Sequence, residues 1–340
     1  MSTLFRNDYS ELADERILKA IEKYLKEQHT AYGLDEHSKN AAEKIKEVFG
    51  VPNADCHFIA GGTQSNMTVI SYFLRPYEGV IACDTGHINT HETGAVEASG
   101  HKILQCTNID GKLKPKDIEK QMETHKDEHV VKPAMVYISN ATETGTVYTK
   151  SELEELRKMC DKYSLFLFID GARLGAALTS NMCDYTSEFL GNIADIFYVG
   201  GTKNGLLIGE AVVIKNKELS TYFRYHIKNR GAMLAKGYLL GIQFEEAFKD
   251  NLYFDLARRS NEMAYYIKEE LTKANITFSC DSPTNQQFII LPKDKAKKVI
   301  DEFGCELWEE KENEDVIRIV TSFSTTKEAC DEIINFIKTL

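Results

Sequence analysis

The sequence is poor in the features that mark several common protein classes. Its 340 residues include only six prolines, so no proline-rich linker marks a domain boundary. No apolar run approaches the roughly 18 residues needed to cross a bilayer, and the charged residues 1–20 contain no signal-peptide core. We therefore expect a cytoplasmic protein that has no membrane partner.

Cysteine motifs and basic charge are also scarce. The eight cysteines form no CxxC pair in a long chain, which argues against a secreted disulfide scaffold. His87 and His91 have the spacing of a helical metal pair, but no glutamate occupies the HExxH position, so no metal site is predicted. A net charge of −11 argues against a nucleic-acid partner.

What is present is the alternating pattern of an α/β fold. Short runs rich in Val, Ile and Phe alternate with longer charged segments of helical period from about residue 56 to 214, which is typical of parallel strands joined by helices. A Ser151-x-x-Glu154 capping box predicts the start of one helix. The predicted strands are Cys56–Ala60, Val80–Cys83, Lys102–Cys106, Ala134–Ser139, Leu165–Asp170, Ile196–Val199 and Ala211–Ile214, and two predicted helices are Lys116–Lys126 and Ser151–Tyr163.

The C-terminal part has a different pattern. A helical zone runs from about residue 233 to 273, and we expect it to bridge two domains. We predict an N-terminal arm (1–20), a large domain (21–240) and a small α+β domain (241–340). The predicted elements of the small domain are the strands Thr277–Cys280, Phe288–Leu291 and Val316–Val320 and the helices Asp294–Phe303 and Lys327–Leu340.

Two charged residues follow predicted strands. Asp170 ends the run Phe166–Asp170, and Lys203 follows the run that begins at Ile196. Because ligands of parallel sheets bind at the carboxyl ends of strands, both side chains can face one crevice. There a lysine amine can condense with an aldehyde, and a carboxylate can keep a pyridine ring protonated. The alternatives are a helix cap or salt bridge for the aspartate and a solvated amine for the lysine.

A glycine pair lies between a predicted strand and an apolar helical pattern. In the run from Ala60 to Asn66, Gly62 and Thr63 would open the helix and present free amides to a phosphate. A tight connection without a ligand is the alternative. No GxGxxG fingerprint is present, which disfavours a nicotinamide-dependent oxidoreductase.

Three further residues suit the same crevice. His87 follows a strand end, where an imidazole can stack on a flat ring. Arg173, three residues after Asp170, can bind a carboxylate through two hydrogen bonds. Arg318 stands between isoleucines in Val316–Val320, which predicts that this face of the strand lines a site.

The order and spacing of these pieces resemble those of the threonine aldolases, which are fold-type-I pyridoxal-phosphate enzymes of the aromatic amino-acid β-eliminating lyase group. The resemblance covers nearly the whole chain. It implies a three-layer α/β sandwich with a mainly parallel seven-stranded sheet, as in aspartate aminotransferase. The matching pieces are Phe5-Arg-Asn-Asp8, Tyr32-Gly33-x-Asp35, Gly62-Thr-Gln64, His87 with Glu92, Asp170-Gly-Ala-Arg173, Thr202-Lys203 and Arg318-Ile-Val-Thr321.

The resemblance implies a cofactor site for pyridoxal 5′-phosphate (PLP). Lys203 would carry PLP as a Schiff base, Asp170 would pair with the pyridine nitrogen, and His87 would stack on the ring. Gly62 and Thr63 would hold the phosphate. One of three basic residues, Lys228, Arg230 or Lys236, would add a contact to this phosphate, with Lys228 taken as the first candidate.

The resemblance also implies a substrate and an assembly. The substrate would be L-threonine or L-allo-threonine, cleaved to glycine and an aldehyde. Arg173 and Arg318 would bind its carboxylate with Asn7 close by. Tyr32 would reach into a neighbouring subunit's site, in a homotetramer whose dimers build each site together.

Two departures from the family pattern bear on the reaction. Asn7 stands where the family commonly has serine, and Glu143 stands where it commonly has a histidine that handles the substrate hydroxyl. A carboxylate at that position can serve as the base or redirect the reaction. β-Elimination or another amino-acid reaction on the same fold therefore stays open, and a non-catalytic binding protein is the remote alternative.

Overall fold

A seven-stranded sheet lies at the centre of the computed structural model, which describes residues 4–108 and 110–340. Its strand order is β1-β7-β6-β5-β4-β2-β3, and a second sheet has the order β10-β11-β9-β8. The strands are β1 (Asp55–Ile59), β2 (Glu78–Cys83), β3 (Ile103–Cys106), β4 (Lys132–Ser139), β5 (Phe166–Asp170), β6 (Ile196–Gly200), β7 (Glu210–Ile214), β8 (Thr277–Phe278), β9 (Gln286–Pro292), β10 (Glu306–Glu310) and β11 (Glu314–Val320).

Most strands of the large sheet run in the same direction. The pairs of β2 with β3, β2 with β4, β4 with β5 and β5 with β6 are parallel, so the expected mainly parallel seven-stranded sheet is confirmed. The exception is β7, which pairs antiparallel with β6 and β1. The link of residues 201–209 is too short for the crossover that a parallel neighbour needs.

Helices cover both faces of this sheet. Residues of β4 alternate between two apolar clusters: Val136 and Ile138 join one, and Met135 and Tyr137 join the other. None of the described helices combines the length and apolar character that a bilayer crossing requires. The helices are α1 (Glu15–Lys23), α2 (Glu36–Val48), α3 (Gly62–Phe73), α4 (His87–Thr90), α5 (Ala95–Ala98), α6 (Pro115–Thr124), α7 (Lys150–Tyr163), α8 (Leu174–Leu178), α9 (Ser187–Ile193), α10 (Phe223–Asn229), α11 (Tyr238–Ala247), α12 (Leu252–Lys273), α13 (Lys293–Phe303) and α14 (Lys327–Thr339).

The capping box of α7 lies two residues before the expected one. The Thr149 side chain accepts from the backbone N–H of Glu152, whose carboxylate accepts from the Thr149 N–H at 2.7 Å. The prediction of Ser151 and Glu154 as the box is therefore wrong. The sequence offers two overlapping Ser/Thr-x-x-Glu registers, and the helix begins at the earlier one.

The expected helical zone between residues 233 and 273 is two helices, α11 and α12. The helical conformation is interrupted between them, where Asp250 and Asn251 have positive φ angles of 51° and 65°. α12 packs against α8 and also against α14 and β9. It therefore contacts elements on both sides of residue 240, while the division into domains at that residue stays a prediction.

The second sheet is antiparallel and carries its own apolar cluster with α13 and α14. Its edge strand β10 was not predicted, because Glu306–Glu310 is mostly charged and largely solvent-facing. The N-terminal segment joins this sheet: the Phe5 N–H donates to Phe303 O and the Phe5 carbonyl accepts from Val320 N, both at 2.9 Å. These bonds place residues 5–9 beside β11.

Candidate active site

A cavity of about 270 Å³ lies where the parallel strands end. Four of its wall residues follow strand ends: His87 after β2, Glu143 after β4, Arg173 after β5 and Lys203 after β6. Since the carboxyl ends of parallel strands meet at one edge, residues distant in sequence converge there. The N-terminal segment adds Tyr9, α4 is followed by His91, and the second sheet adds Glu306, Trp308 and Arg318.

Asp170, the last residue of β5, is buried beside this cavity. Its two oxygens accept hydrogen bonds from the side chains of Asn66, Tyr137 and Tyr198 and from the backbone N–H of Ala172. Burial raises the pKa of this carboxyl, but the charge of His87 and these donors outweigh burial, and the net pKa is lowered. Asp170 is therefore an anion held in one orientation.

His87 is connected to Asp170 through two side chains. Its Nδ1 lies 2.8 Å from Glu92 Oε1, and Asn66 Nδ2 donates to that oxygen at 2.7 Å and to Asp170 at 2.9 Å. A carboxylate only accepts, so Nδ1 carries the hydrogen of the pair. The chain of bonds fixes the ring plane of His87 relative to Asp170.

Lys203 contributes an amine to the same cavity. Its Nζ lies 5.8 Å from the ring centre of Tyr9. Burial and the nearby guanidinium of Arg173 lower the pKa of this amine. A lowered pKa increases the fraction of neutral, nucleophilic amine at neutral pH.

A second buried carboxyl, Glu210, lies at the start of β7, opposite Gly200 in β6. Its Oε2 accepts from the backbone N–H of Gly201 at 3.0 Å. Burial raises the pKa of Glu210 to about 8, because its donors and the charge of Lys203 do not offset desolvation. Glu210 is therefore mostly protonated at neutral pH.

Glu143 is a third buried carboxyl, and it reaches the cavity wall. Its Oε1 accepts from the Ser139 hydroxyl at 2.6 Å and from the backbone N–H of His87 at 2.9 Å. Burial raises the pKa of Glu143, and the charge of Asp170 adds to the rise. A carboxyl whose pKa is raised is suited to proton transfer near neutral pH.

Arg173 is held by an aspartate of the N-terminal segment. Its Nε and Nη2 donate to the two oxygens of Asp8 at 2.7 and 3.1 Å, and Asn285 also donates to Asp8 at 2.9 Å. Within the described parts of the chain, Nη1 has no acceptor. One edge of the guanidinium is thus committed to Asp8, and the N–H bonds of Nη1 and the second N–H of Nη2 remain for a ligand.

Arg318 lies in the opposite wall. Its guanidinium carbon is 5.1 Å from the ring centre of Trp308, and it donates to Gln286 at 3.1 Å and to Glu306. The two arginines lie close enough that the charge of Arg173 lowers the pKa of Arg318, after the larger effect of burial. The wall therefore presents two cations to the cavity.

The start of α3 lies beside the carboxylate of Asp170. A side chain at Gly62 would place its Cβ 3.1 Å from the Tyr198 hydroxyl that donates to Asp170. No side chain caps α3, and Thr63 in its first turn is exposed. Gln64 donates to the carbonyl of Gly231, which places the chain after α10 next to this helix start.

Four of the predicted residues lie outside the cavity wall. Asn7 accepts from the Tyr9 N–H and the Ser10 hydroxyl and so closes a turn. Tyr32 is exposed, and the Lys228 amine lies 4.8 Å from its ring centre, at the edge of another cavity. Lys236 is also exposed. Within the described residues of one chain, none of the four lines the cavity around Lys203.

This arrangement fits a phosphorylated pyridine aldehyde: an anion for a ring nitrogen, an imidazole for the ring face, an amine for the aldehyde and free amides for the phosphate. Residues 15–293 match the family model described as beta-eliminating lyase. The chain belongs to the beta-eliminating lyase family. A solved Leishmania major threonine aldolase has a similar structure, with a TM-score of 0.97 and 43% identity over 99% of both chains.

Two further comparisons concern a relative in sequence and a neighbour in fold. A low-specificity L-threonine aldolase of a Pseudomonas species is 32% identical over 249 residues, which are 72% of this chain and 71% of that protein. An aspartate aminotransferase of Thermus thermophilus, 13% identical, has a TM-score of 0.70 over 100% of this chain and 91% of that chain. The latter likeness concerns the fold alone and agrees with the expected aminotransferase-like architecture.

The residues that support Asp170 were not predicted from the sequence. Asn66 ends the glycine-rich run that was singled out, but its side chain was given no role. Tyr137 and Tyr198 are tyrosines inside otherwise aliphatic strands, and a buried hydroxyl needs a partner. That need was the available signal. Tyr9 and Trp308 carried no comparable signal.

Proposed function

We propose that this protein uses PLP to cleave L-threonine or L-allo-threonine to glycine and an aldehyde. The observation that carries the proposal is the anionic Asp170 and the amine of Lys203 at the ends of adjacent strands β5 and β6. The likeness to a threonine aldolase over nearly the whole chain supports the substrate.

The chain's own residues divide the work of holding PLP. When bound, PLP supplies a ring that accepts the electron pair of a bond broken at the substrate Cα. Asp170 would keep a proton on the pyridine nitrogen, since its lowered pKa maintains the negative charge. His87, fixed by Glu92, would cover one face of the ring. Lys203 would bind the aldehyde carbon through its amine.

The phosphate would lie at the start of α3. The backbone N–H groups of Gly62 and Thr63 lie at this helix N-terminus, where no described side chain caps the helix, and they favour an anion. Arg230 precedes Gly231, and its buried Nε has no hydrogen-bond partner in the described residues, which favours it over Lys228 for a phosphate contact from the same chain.

The two arginines would orient the substrate. Arg318 and the free Nη1 of Arg173 can both donate to the amino-acid carboxylate. Glu143 would take the proton from the substrate hydroxyl, because its Oε1 is anchored by Ser139 and its pKa is raised by burial. Removal of that proton from the β-carbon's hydroxyl favours cleavage of the Cα–Cβ bond.

β-Elimination is the second candidate, favoured by the description of the matched family. The same cofactor supports either reaction, and the outcome depends on which Cα bond is aligned with the ring. Glu143 could instead assist departure of the β-substituent by donating a proton while it is protonated.

The assembly we propose is a homotetramer in which two subunits complete each site. The support is the pair of Tyr32 and Lys228, which face outward instead of toward their own chain's cavity. These residues would contact PLP or substrate in a neighbouring subunit. A cytoplasmic location belongs to the same proposal.

Product analysis tests the reaction. The purified holoenzyme is incubated separately with L-threonine, L-allo-threonine, serine and tyrosine. Glycine and acetaldehyde from either threonine isomer support aldol cleavage. Ammonia and 2-oxobutyrate from threonine, without acetaldehyde, would contradict it and support elimination.

A further inference from the structure

A cluster of metal-binding side chains lies away from the candidate active site. Glu27 and His29 stand between α1 and α2, and His37 lies in the first turn of α2. Each can offer one ligand atom, and these atoms all lie within 4.8 Å of one another. None of the three lines the cavity around Lys203.

His37 is already oriented in the way that metal-binding histidines usually are. Its Nδ1 is hydrogen-bonded to Glu245 of α11, and the other oxygen of Glu245 accepts from Asn40 at 2.8 Å. Because the carboxylate accepts, Nδ1 carries the hydrogen and Nε2 keeps its lone pair. A carboxylate that fixes the tautomer of a ligating imidazole is typical of zinc sites.

His29 supplies the second imidazole. Its Nε2 is buried and has no hydrogen-bond partner within the described residues. Its ring centre lies 5.1 Å from that of His37 and 4.9 Å from that of Tyr238, so two aromatic neighbours hold the ring. A buried, unpaired ring nitrogen costs free energy, and a metal ion would provide the missing partner.

We propose that Glu27, His29 and His37 bind a divalent transition-metal ion, with Zn²⁺ as the expected ion and water completing the coordination. Two imidazoles and one carboxylate form a ligand set that zinc accepts in tetrahedral geometry. Zn–N bonds of about 2.0–2.1 Å put tetrahedral ligand atoms about 3.3 Å apart. The exposed side chain of Glu27 can make the closing movement. Glu245 is a positioning residue.

The bound ion would tie the segment between α1 and α2 to the body of the protein. This segment continues to Tyr32, whose carbonyl accepts from Arg224 and whose N–H donates to Ala235 O. The metal would thus brace the chain that leads to a residue of the proposed intersubunit site. The metal site itself does not rest on the proposed reaction.

Metal binding is tested on the chelator-treated holoenzyme. Zn²⁺ is titrated in competition with a chromophoric chelator into the wild type and into the His29→Gln, His37→Gln and Glu245→Gln variants. The matched control is His129→Gln, because the His129 side chain is 85% exposed and lies outside the cluster. We expect one tight equivalent in the wild type and control, a loss of affinity of about 100-fold or more in the His variants, and about 10-fold in Glu245→Gln.

The eight cysteines are alternative zinc ligands, so the atoms bound to the metal must also be identified. X-ray absorption of the zinc-loaded wild type should show nitrogen and oxygen neighbours with the multiple scattering of two imidazoles. Sulfur neighbours, equal affinity in the control and the His variants, or no tight equivalent would each overturn the proposal. The spectrum decides even where a variant fails to fold.

Discussion

Three of the buried carboxyls around Lys203 differ in their ionisation behaviour. Asp170 accepts hydrogen bonds on both oxygens and has a lowered pKa, whereas Glu210 and Glu143 have raised pKa values. All are almost fully buried, so desolvation acts on each of them. The number of donors and the sign of nearby charge decide which effect wins. Asp170 thereby stays an anion, while Glu143 and Glu210 can exchange a proton.

The variant with the largest expected effect is Glu143→Gln, which tests the carboxyl that can exchange a proton. If Glu143 transfers the proton of the substrate hydroxyl, the variant loses about 10²–10⁴-fold in kcat for threonine cleavage. The limb of the pH profile in which the rate rises with pH should disappear as well, because the base must be deprotonated. Cofactor absorbance should stay unchanged. Turnover equal to that of the wild type would remove Glu143 from the mechanism.

The anionic side is tested by Asp170→Asn. Loss of the fixed negative charge beside the pyridine nitrogen is expected to lower kcat/KM about 10²–10³-fold. The control is Asp301→Asn, since Asp301 is exposed on α13. Comparable activities of the two variants would contradict the assigned role.

Glu210→Gln tests the protonated carboxyl through stability. The unfolded chain releases this proton near the ordinary pKa of 4.5 and the folded chain near 8, so burying Glu210 makes the wild type less stable as pH rises between those values. The variant lacks this pH dependence. Its free energy of unfolding, relative to that of the wild type, should therefore rise by on the order of 4 kcal/mol by pH 8. Urea unfolding of the cofactor-free proteins at several pH values measures the difference. A constant difference across this range would show an ordinary pKa for Glu210.

The smallest expected effect comes from removing one donor to Asp170. Tyr198→Phe should raise the pKa of Asp170, because the carboxylate loses a hydrogen bond that stabilises its charged form. At pH values below the limb set by Glu143, the further fall in kcat/KM that protonation of Asp170 causes should then begin at a higher pH. Tyr163→Phe is the control, because the Tyr163 hydroxyl contacts Glu119 at the periphery. Identical profiles would show that the remaining donors are sufficient.

The sequence predicted the strands and their mainly parallel order because buried strands repeat apolar residues between turn signals. It also predicted that Asp170 and Lys203 share an edge, since that follows from topology alone. It could not show that Asp8 occupies one edge of Arg173, because their contact joins residues far apart in the chain. Nor could it show the antiparallel β7, the strand β10 or the donors around Asp170, which depend on packing.

Borohydride reduction of the holoenzyme followed by peptide mapping tests directly whether Lys203 holds PLP. Reduction makes the bond between PLP and its lysine permanent, so the modified residue can be identified by mass. The account predicts a pyridoxyl adduct on Lys203 and loss of that adduct in Lys203→Ala. An adduct on another lysine of the wild type, or no adduct after incubation with PLP, would contradict it.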